Sequence, residues 1–164
     1  ANMGGKSLVS HWNLLVDLCD TEYLIMASDD DVYEPKFLEE IDMLVEKYPK
    51  VDILRAKARR VENGKQVLTD EAIPEMQNQS DFLQYFGVKE MVLCLANYVF
   101  KTNALKRMKC FPDFPTAAFS DSAAAIYLSK MELQQQRKYC LLSAFLTKIY
   151  LVQKIIQRIQ KRVF

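Results

Sequence analysis

The chain has 164 residues, 50% hydrophobic and 26% charged, with 22 Lys and Arg against 21 Asp and Glu, which places it among globular proteins with one domain-sized core. The near-neutral balance excludes a wholly basic nucleic-acid binder. Four scattered cysteines (Cys19, Cys94, Cys110, Cys140) and a single histidine argue against a structural zinc site or a disulfide-stapled scaffold.

A reducing, cytoplasmic compartment is the expectation. The first residues lack the basic, apolar and small-residue order of a secretory leader, and the longest uncharged runs, such as 91–100, reach about half of the ~20 residues that span a bilayer. Charge divides the chain unevenly. Residues 1–133 hold all 21 acids and carry net −6, whereas 134–164 hold seven bases and no acid, so the two stretches are read as separate units.

In chain order, Gly4-Gly5-Lys6-Ser7 resembles the end of a phosphate loop, but no strand precedes it and the first motif glycine would fall before Ala1; a Ser-capped helix start is the simpler reading. From Ser7 to Cys19, Leu8, Trp12, Leu15 and Leu18 fall on one helical stripe. Trp12 reads as core and His11 as structural. Tyr23 to Ala27 is a strand-length apolar run leading into Ser28-Asp29-Asp30-Asp31. Pro35 opens a second helix with Phe37, Leu38, Ile41, Leu44 and Val45 at 3–4 spacing, ended by Tyr48-Pro49. Val51 to Leu54 reads as a buried strand, and 56–61 with 66–69 as a hairpin about Asn63-Gly64. Helix and strand in alternation predict a mainly parallel α/β sheet.

Ser80-Asp81 is expected to cap a helix ended by Gly87, and Asn97 to Lys101 to be a strand followed by a helix from Thr102. A Pro-containing loop over 109–119 leads to a helix capped by Ser120 or Asp121. In the last stretch Leu142, Phe145, Ile149, Val152, Ile156, Ile159 and Val163 repeat at 3,4 spacing, the seam of a basic amphipathic helix over 134–164.

Two constellations could carry chemistry. Asp29, Asp30 and Asp31 stand where an apolar strand ends, the edge at which open α/β sheets bind ligands; adjacent carboxylates either hold Mg²⁺ or Mn²⁺ together with a phosphate or form a solvated turn and cap. Asp121 is either a cap or a general base. Phe111, Phe114 and Phe119 either pack the loop or wall a flat ligand.

Asn2-Met3-Gly4-Gly5, the helix through Asn13, the run Glu22 to Leu38 with its strand–Asp-Asp-Asp–aromatic–x–Pro order, and Lys47-Tyr48-Pro49 resemble the middle of family 2 glycosyltransferases. Asn97 to Lys101, Leu105, Phe111-Pro112-Asp113-Phe114-Pro115 and Ser120-Asp121 resemble that family's acceptor-side segment. Together the blocks cover roughly residues 1–130.

The resemblance implies a partial nucleotide-diphospho-sugar transferase fold, α/β with a mixed, mainly parallel sheet flanked by helices. It implies inverting transfer of a sugar from a nucleoside-diphosphate donor to the hydroxyl of a glycan or lipid-linked acceptor, as in bacterial polysaccharide synthesis. By carry-over, Asp29, Asp30, Asp31 and Asn13 bind the donor, with Asp30 and Asp31 at a Mn²⁺ or Mg²⁺ ion. Asp121 is the catalytic base, and Phe114, Pro115, Phe119 and Ser120 form the acceptor-side loop. Members begin with a nucleotide-binding half that would precede Ala1, so the chain reads as a fragment. Lys109-Cys110 stands where relatives usually carry Gly-Gly, and Ser122 where many carry a second acid. The 137–164 helix is expected to pack on the domain or on a partner copy, or to lie peripherally on an anionic membrane. The competing reading is a noncatalytic binding or oligomerisation module built on that helix.

Overall fold

A computed structural model describes residues 7–70, 74–75, 77–88, 92–129, 143–144 and 150–152. Ser7 caps α1 (Leu8–Leu18), its Oγ accepting the Ser10 N–H at 3.1 Å and so satisfying one of the amides that a helix start leaves open. The helix faces the core differently from the expectation. Val9 and Val16 are fully buried and Trp12 is half-buried, whereas Leu8, Leu15 and Leu18 are exposed. The reason lies outside the helix: Trp12 meets the edge of Phe111 and Asn13 bonds its backbone, which sets residues 9, 12, 13 and 16 inward at helical spacing.

β1 (Tyr23–Ile25) ends at the acidic turn, Asp31–Val32 form the short strand β2, and α2 (Phe37–Lys47) stops at Tyr48 before Pro49, because a residue before proline is driven out of the helical region. β3 (Ile53–Ala56) follows. The hairpin of β4 (Arg59–Glu62) and β5 (Lys65–Thr69) closes on Asn63-Gly64 as expected, with φ of 51° and 77°, the positive values that a tight two-residue hairpin turn demands. α3 (Gln79–Val88) is capped by Asn78 rather than Ser80: Asp81 N–H donates to Asn78 Oδ1 and Asn78 N–H returns the bond to Asp81 Oδ2. It also continues through Gly87. After a short 3₁₀ turn at Leu95–Asn97 come β6 (Tyr98–Lys101), α4 (Thr102–Arg107), a 3₁₀ turn at Pro115–Ala117 and α5 (Ser120–Leu128).

The main sheet runs β1-β6-β3, and the mainly parallel expectation fails there. β6 pairs antiparallel with both neighbours, Ile25 opposite Val99 and Arg55 opposite Tyr98. β1 and β3 therefore do run parallel, as the strand–helix–strand order predicted, but β6 is inserted between them and converts both ladders. Side chains alternate across this sheet. Leu24, Ile53, Tyr98 and Phe100 join Val9, Val16, Phe82, Ala124, Ala125 and Leu128 in one core, while Ile25, Leu54, Ala56 and Val99 pack against Phe37 and Ile41 of α2 in another.

Two short C-terminal strands complete the sheets. β7 (Ser143–Ala144) pairs parallel with β3, and β8 (Tyr150–Val152) lies between β2 and β4. At these five residues the expected amphipathic helix is contradicted: Tyr150, Leu151 and Val152 are strand-favouring neighbours that pair the otherwise open edges of β2 and β4. The remaining seam positions, and with them the partner-copy or membrane contact through 137–164, lie outside the described residues, as do residues 1–6. No helix among the described residues is long and apolar enough to cross a membrane.

Candidate functional site

The sheet arithmetic brings one edge together. β1 and β3 end where the antiparallel β6 begins, so the acidic turn, Arg55 and the 92–98 segment share that edge. Asp29 and Asp30 form the turn after β1 and Asp31 opens β2 opposite Leu151. Asp29 is exposed, Asp30 and Asp31 are half-buried. Asp31 Oδ1 is closed to solvent without a hydrogen-bond partner. Burial, reinforced by the neighbouring Asp30 charge and opposed by a bond from Ser28, pushes the Asp31 carboxyl up to about 6. Two residues on, Tyr33 donates its hydroxyl to the Ala96 carbonyl at 2.9 Å, tying the turn to the 92–97 segment. Ile25, Ala27, Tyr33, Glu34, Pro35, Phe37 and Leu38 line an apolar cavity of about 280 Å³ beside it.

Asp121 sits in the first turn of α5, where the preceding residue Phe119 adopts φ 60° and no side chain caps the helix. Its Oδ1 accepts the Ser122 N–H at 2.7 Å and the Ser122 hydroxyl at 3.3 Å. Asp121 is thus neither of the expected caps in action, and Ser120, expected in the same role, is buried with its Oγ unpartnered. The charges of both acidic positions reach Cys94. Burial pushes this thiol up to about 12, with Asp31 adding most among the charges, Arg55 opposing and Asp121 adding again. Asp31 and Asp121, ninety residues apart in sequence, thus both act on one thiol.

The loop between α4 and α5 is bound to α1 rather than free. Asn13 brackets Phe111, its Nδ2 donating to the Phe111 carbonyl at 3.0 Å and its Oδ1 accepting the Phe111 N–H at 2.8 Å. Ser7 Oγ donates to Asp113 at 3.1 Å. Asn13, read as donor-binding, uses one Nδ2 hydrogen and its Oδ1 in this bracket. Phe111 is core, edge-on to Trp12 and Phe100. Phe114, Pro115 and Phe119 are exposed, Phe119 resting edge-on against Phe86. Five of the six non-glycine residues with positive φ among the described residues lie here: Lys109, Cys110, Thr116, Ala117 and Phe119. Lys109 and Cys110, at 66° each, occupy conformations that cost a residue with a Cβ about 1–2 kcal/mol relative to glycine's freedom.

Sequence reading overlooked the floor of this edge. Arg55, 1% exposed, donates through Nη2 to both oxygens of the buried Asp70 (2.8 and 2.9 Å) and to the Val92 carbonyl (2.9 Å). Asp70 also takes the Ala58 and Val92 N–H groups, and Asn97 Nδ2 donates to the same Val92 carbonyl. The available signal was an arginine inside the apolar run Ile53 to Ala56, since a buried charge demands a partner.

Among the described residues, no three His, Cys, Asp or Glu side chains converge into a metal cage by themselves. No protein-family model matches the sequence and no curated protein matches it. A solved structure does: S. aureus TarS 1-349 superposes with a TM-score of 0.63 at 15% identity, over 93% of this chain and 42% of that one. The chain thus spans less than half the length of the TarS structure it matches, and what it shares with that structure is the fold.

Proposed function

We propose that the chain forms the diphosphate and acceptor side of a glycosyltransferase that moves a sugar from a nucleoside-diphosphate donor to an acceptor hydroxyl with inversion, in the manner of family 2 enzymes. What supports this reading is that the charges of Asp31, at the end of the acidic turn, and Asp121, in the first turn of α5, both act on the Cys94 thiol. An inverting transfer needs a base and a leaving-group site that serve one pocket from opposite faces, because the nucleophile attacks from the face away from the leaving group.

In this reading Asp30 and Asp31 hold a divalent cation, Mn²⁺ or Mg²⁺, jointly with the donor's phosphates, and Asp29 lies toward the ribose. The bound cation supplies neutralisation of charge on the departing diphosphate. What supports the fit is Asp31, which has an orphaned, buried oxygen and a carboxyl pushed up by burial and by the adjacent acid: the turn carries more negative charge than its surroundings offset, and hard oxygen donors suit such ions. Asp121 accepts the acceptor's proton. Ser122 engages Oδ1 and orients the carboxylate, leaving Oδ2 for the proton. Phe114, Pro115 and Phe119 offer an exposed apolar rim against which an acceptor glycan stacks. Asn13 serves this site by placing the loop through Phe111.

The test is calorimetric titration of UDP into the chain with and without Mn²⁺, repeated on Asp30→Ala. Binding that needs both the metal and Asp30 is the expected result. Metal-independent binding, or binding unchanged in Asp30→Ala, would refute the donor-site assignment.

A further inference from the structure

Buried polar groups in folded proteins almost always find partners, so a cluster of them left open marks a place where something else bonds. Arg55 and Asn97 form such a cluster on the floor of the candidate site. A guanidinium carries five N–H donors. In Arg55 only Nη2 is engaged, by Asp70 and the Val92 carbonyl, and Nε and Nη1 are buried without an acceptor. Asn97, 0% exposed, donates to the same Val92 carbonyl and leaves its Oδ1 without a donor. Two side chains anchored on one carbonyl therefore leave donors and an acceptor open.

Their position ties them to the carboxylates. Arg55 lies opposite Tyr98 in the β3–β6 ladder, on the sheet face that packs against α5, and Asn97 immediately precedes Tyr98. The 92–97 segment beneath them is joined to the acidic turn by the Tyr33–Ala96 hydrogen bond.

The electrostatics select the ligand's chemistry. The Arg55 charge is already matched by Asp70, which takes bonds from Arg55, Ala58 and Val92, so the pair does not call for an anion. Asp31 and Asp121 nearby disfavour one. What remains is a demand for oxygens that accept from nitrogen and for an O–H that donates to Oδ1, and neighbouring hydroxyls on one ring supply both. We infer that Arg55 and Asn97 form a subsite for the hydroxyl groups of a sugar ring, with Arg55 Nε and Nη1 donating to hydroxyl oxygens and a ring O–H donating to Asn97 Oδ1. The ring's role as a sugar in transfer rests on the proposed function; its recognition does not. Both groups are closed to solvent, so a ring reaches them only when the packing over them opens.

The experiment follows the Arg55 Nε–H signal by NMR, assigned by its disappearance in Arg55→Lys, a change that keeps a cation for Asp70 but deletes the two open donors. The chain is titrated separately with UDP, UDP-glucose and methyl glucoside. The signal is expected to move with the sugar-bearing ligands and not with UDP. In Arg55→Lys, affinity for the sugar-bearing ligand should fall about tenfold while UDP affinity holds, the size of one or two lost hydrogen bonds. A shift with UDP-glucose alone assigns the donor's sugar, a shift with methyl glucoside an acceptor ring; either supports the subsite. A signal unmoved by every sugar, or moved equally by UDP, overturns it. Failure of UDP to bind while methyl glucoside still moves the signal refutes the donor-site assignment and leaves the subsite standing. If Arg55→Lys does not fold, Asn97→Ser carries the affinity test with the same selective loss expected.

Discussion

The two walls of the candidate site are built by different means. The acidic turn after β1 follows from adjacent residues: an apolar strand ends, three aspartates turn the chain, and Pro35 leads into a helix with Phe37 and Ile41 inward. The 109–119 loop is held in strained conformations by partners about a hundred residues away, Asn13 on Phe111 and Ser7 on Asp113. A wall that is local in sequence tolerates local change, whereas one held by distant bonds fails when a distant residue is altered. Beneath both lies the Arg55–Asp70 floor, which is distant from each in sequence and wholly buried.

The largest expected effect comes from that floor. Arg55→Leu leaves the Asp70 carboxylate buried without its cation and should cost about 3–5 kcal/mol, enough to unfold a marginal domain in chemical denaturation. Replacing both partners by leucine should recover part of the loss, the remainder coming from the Ala58 and Val92 N–H groups that lose Asp70 as acceptor. Equal loss in the single and double variants would show that the pair's charges do not govern the floor.

Next comes the bracket that defines the strained wall. Asn13→Ala removes two hydrogen bonds to a core-packed backbone and should cost about 1–3 kcal/mol. Hydrogen exchange should quicken at Phe111 and through the 109–119 loop while the amides of 28–33 stay unchanged; quickening in both regions would erase the contrast between the walls.

The acidic turn carries the pH dependence. Asp31 titrates near 6 in the folded chain against an ordinary 3.8, so the folded state binds more protons than the unfolded state between those values. The stability contributed by Asp31 is complete below the unfolded value and is lost as pH rises through about 6. Asp31→Asn should remove that decline and raise stability at neutral pH by about 1 kcal/mol, after allowing for screening of a partly exposed group. Thermal midpoints across pH 4 to 8 check the sign, and a variant that loses stability at neutral pH would contradict it.

The smallest effect is a gain. Lys109→Gly relieves a positive φ at an exposed position and should stabilise the chain by about 0.5–1 kcal/mol, part of the strain relief being offset by glycine's freedom in the unfolded state. A loss on this change would mean that the lysine side chain, not the backbone, fixes the turn.

Legibility in the sequence followed the same division. The limits of α1 and α2, the hairpin about Asn63-Gly64 and the strand end bearing Asp29 to Asp31 depend on neighbours a few residues apart and could be read directly. Which face of α1 turns inward could not, because Phe111 decides it. Nor could the insertion of β6 between β1 and β3, since helix–strand alternation fixes the relative direction of two strands but not what pairs between them. The 3,4 apolar spacing near the end of the chain promised a helix, yet 150–152 pair as a strand with β2 and β4, an instance of sheet edges overriding local periodicity. At the site itself, the acids were visible as residues, whereas the reach of both charges to Cys94 and the Arg55–Asn97 pair exist only through the tertiary fold.

The central claim is that the two distant acidic positions bound one substrate site, and paramagnetic broadening by Mn²⁺ in the presence of UDP tests it most directly. The account predicts loss of the backbone signals of 28–33, Cys94 and 120–122 together, with the hairpin turn at Asn63-Gly64 untouched and the whole effect abolished in Asp30→Ala. Broadening confined to the acids of α2, Glu39, Glu40 and Asp42, or to the acidic turn without Cys94 and Asp121, would contradict it.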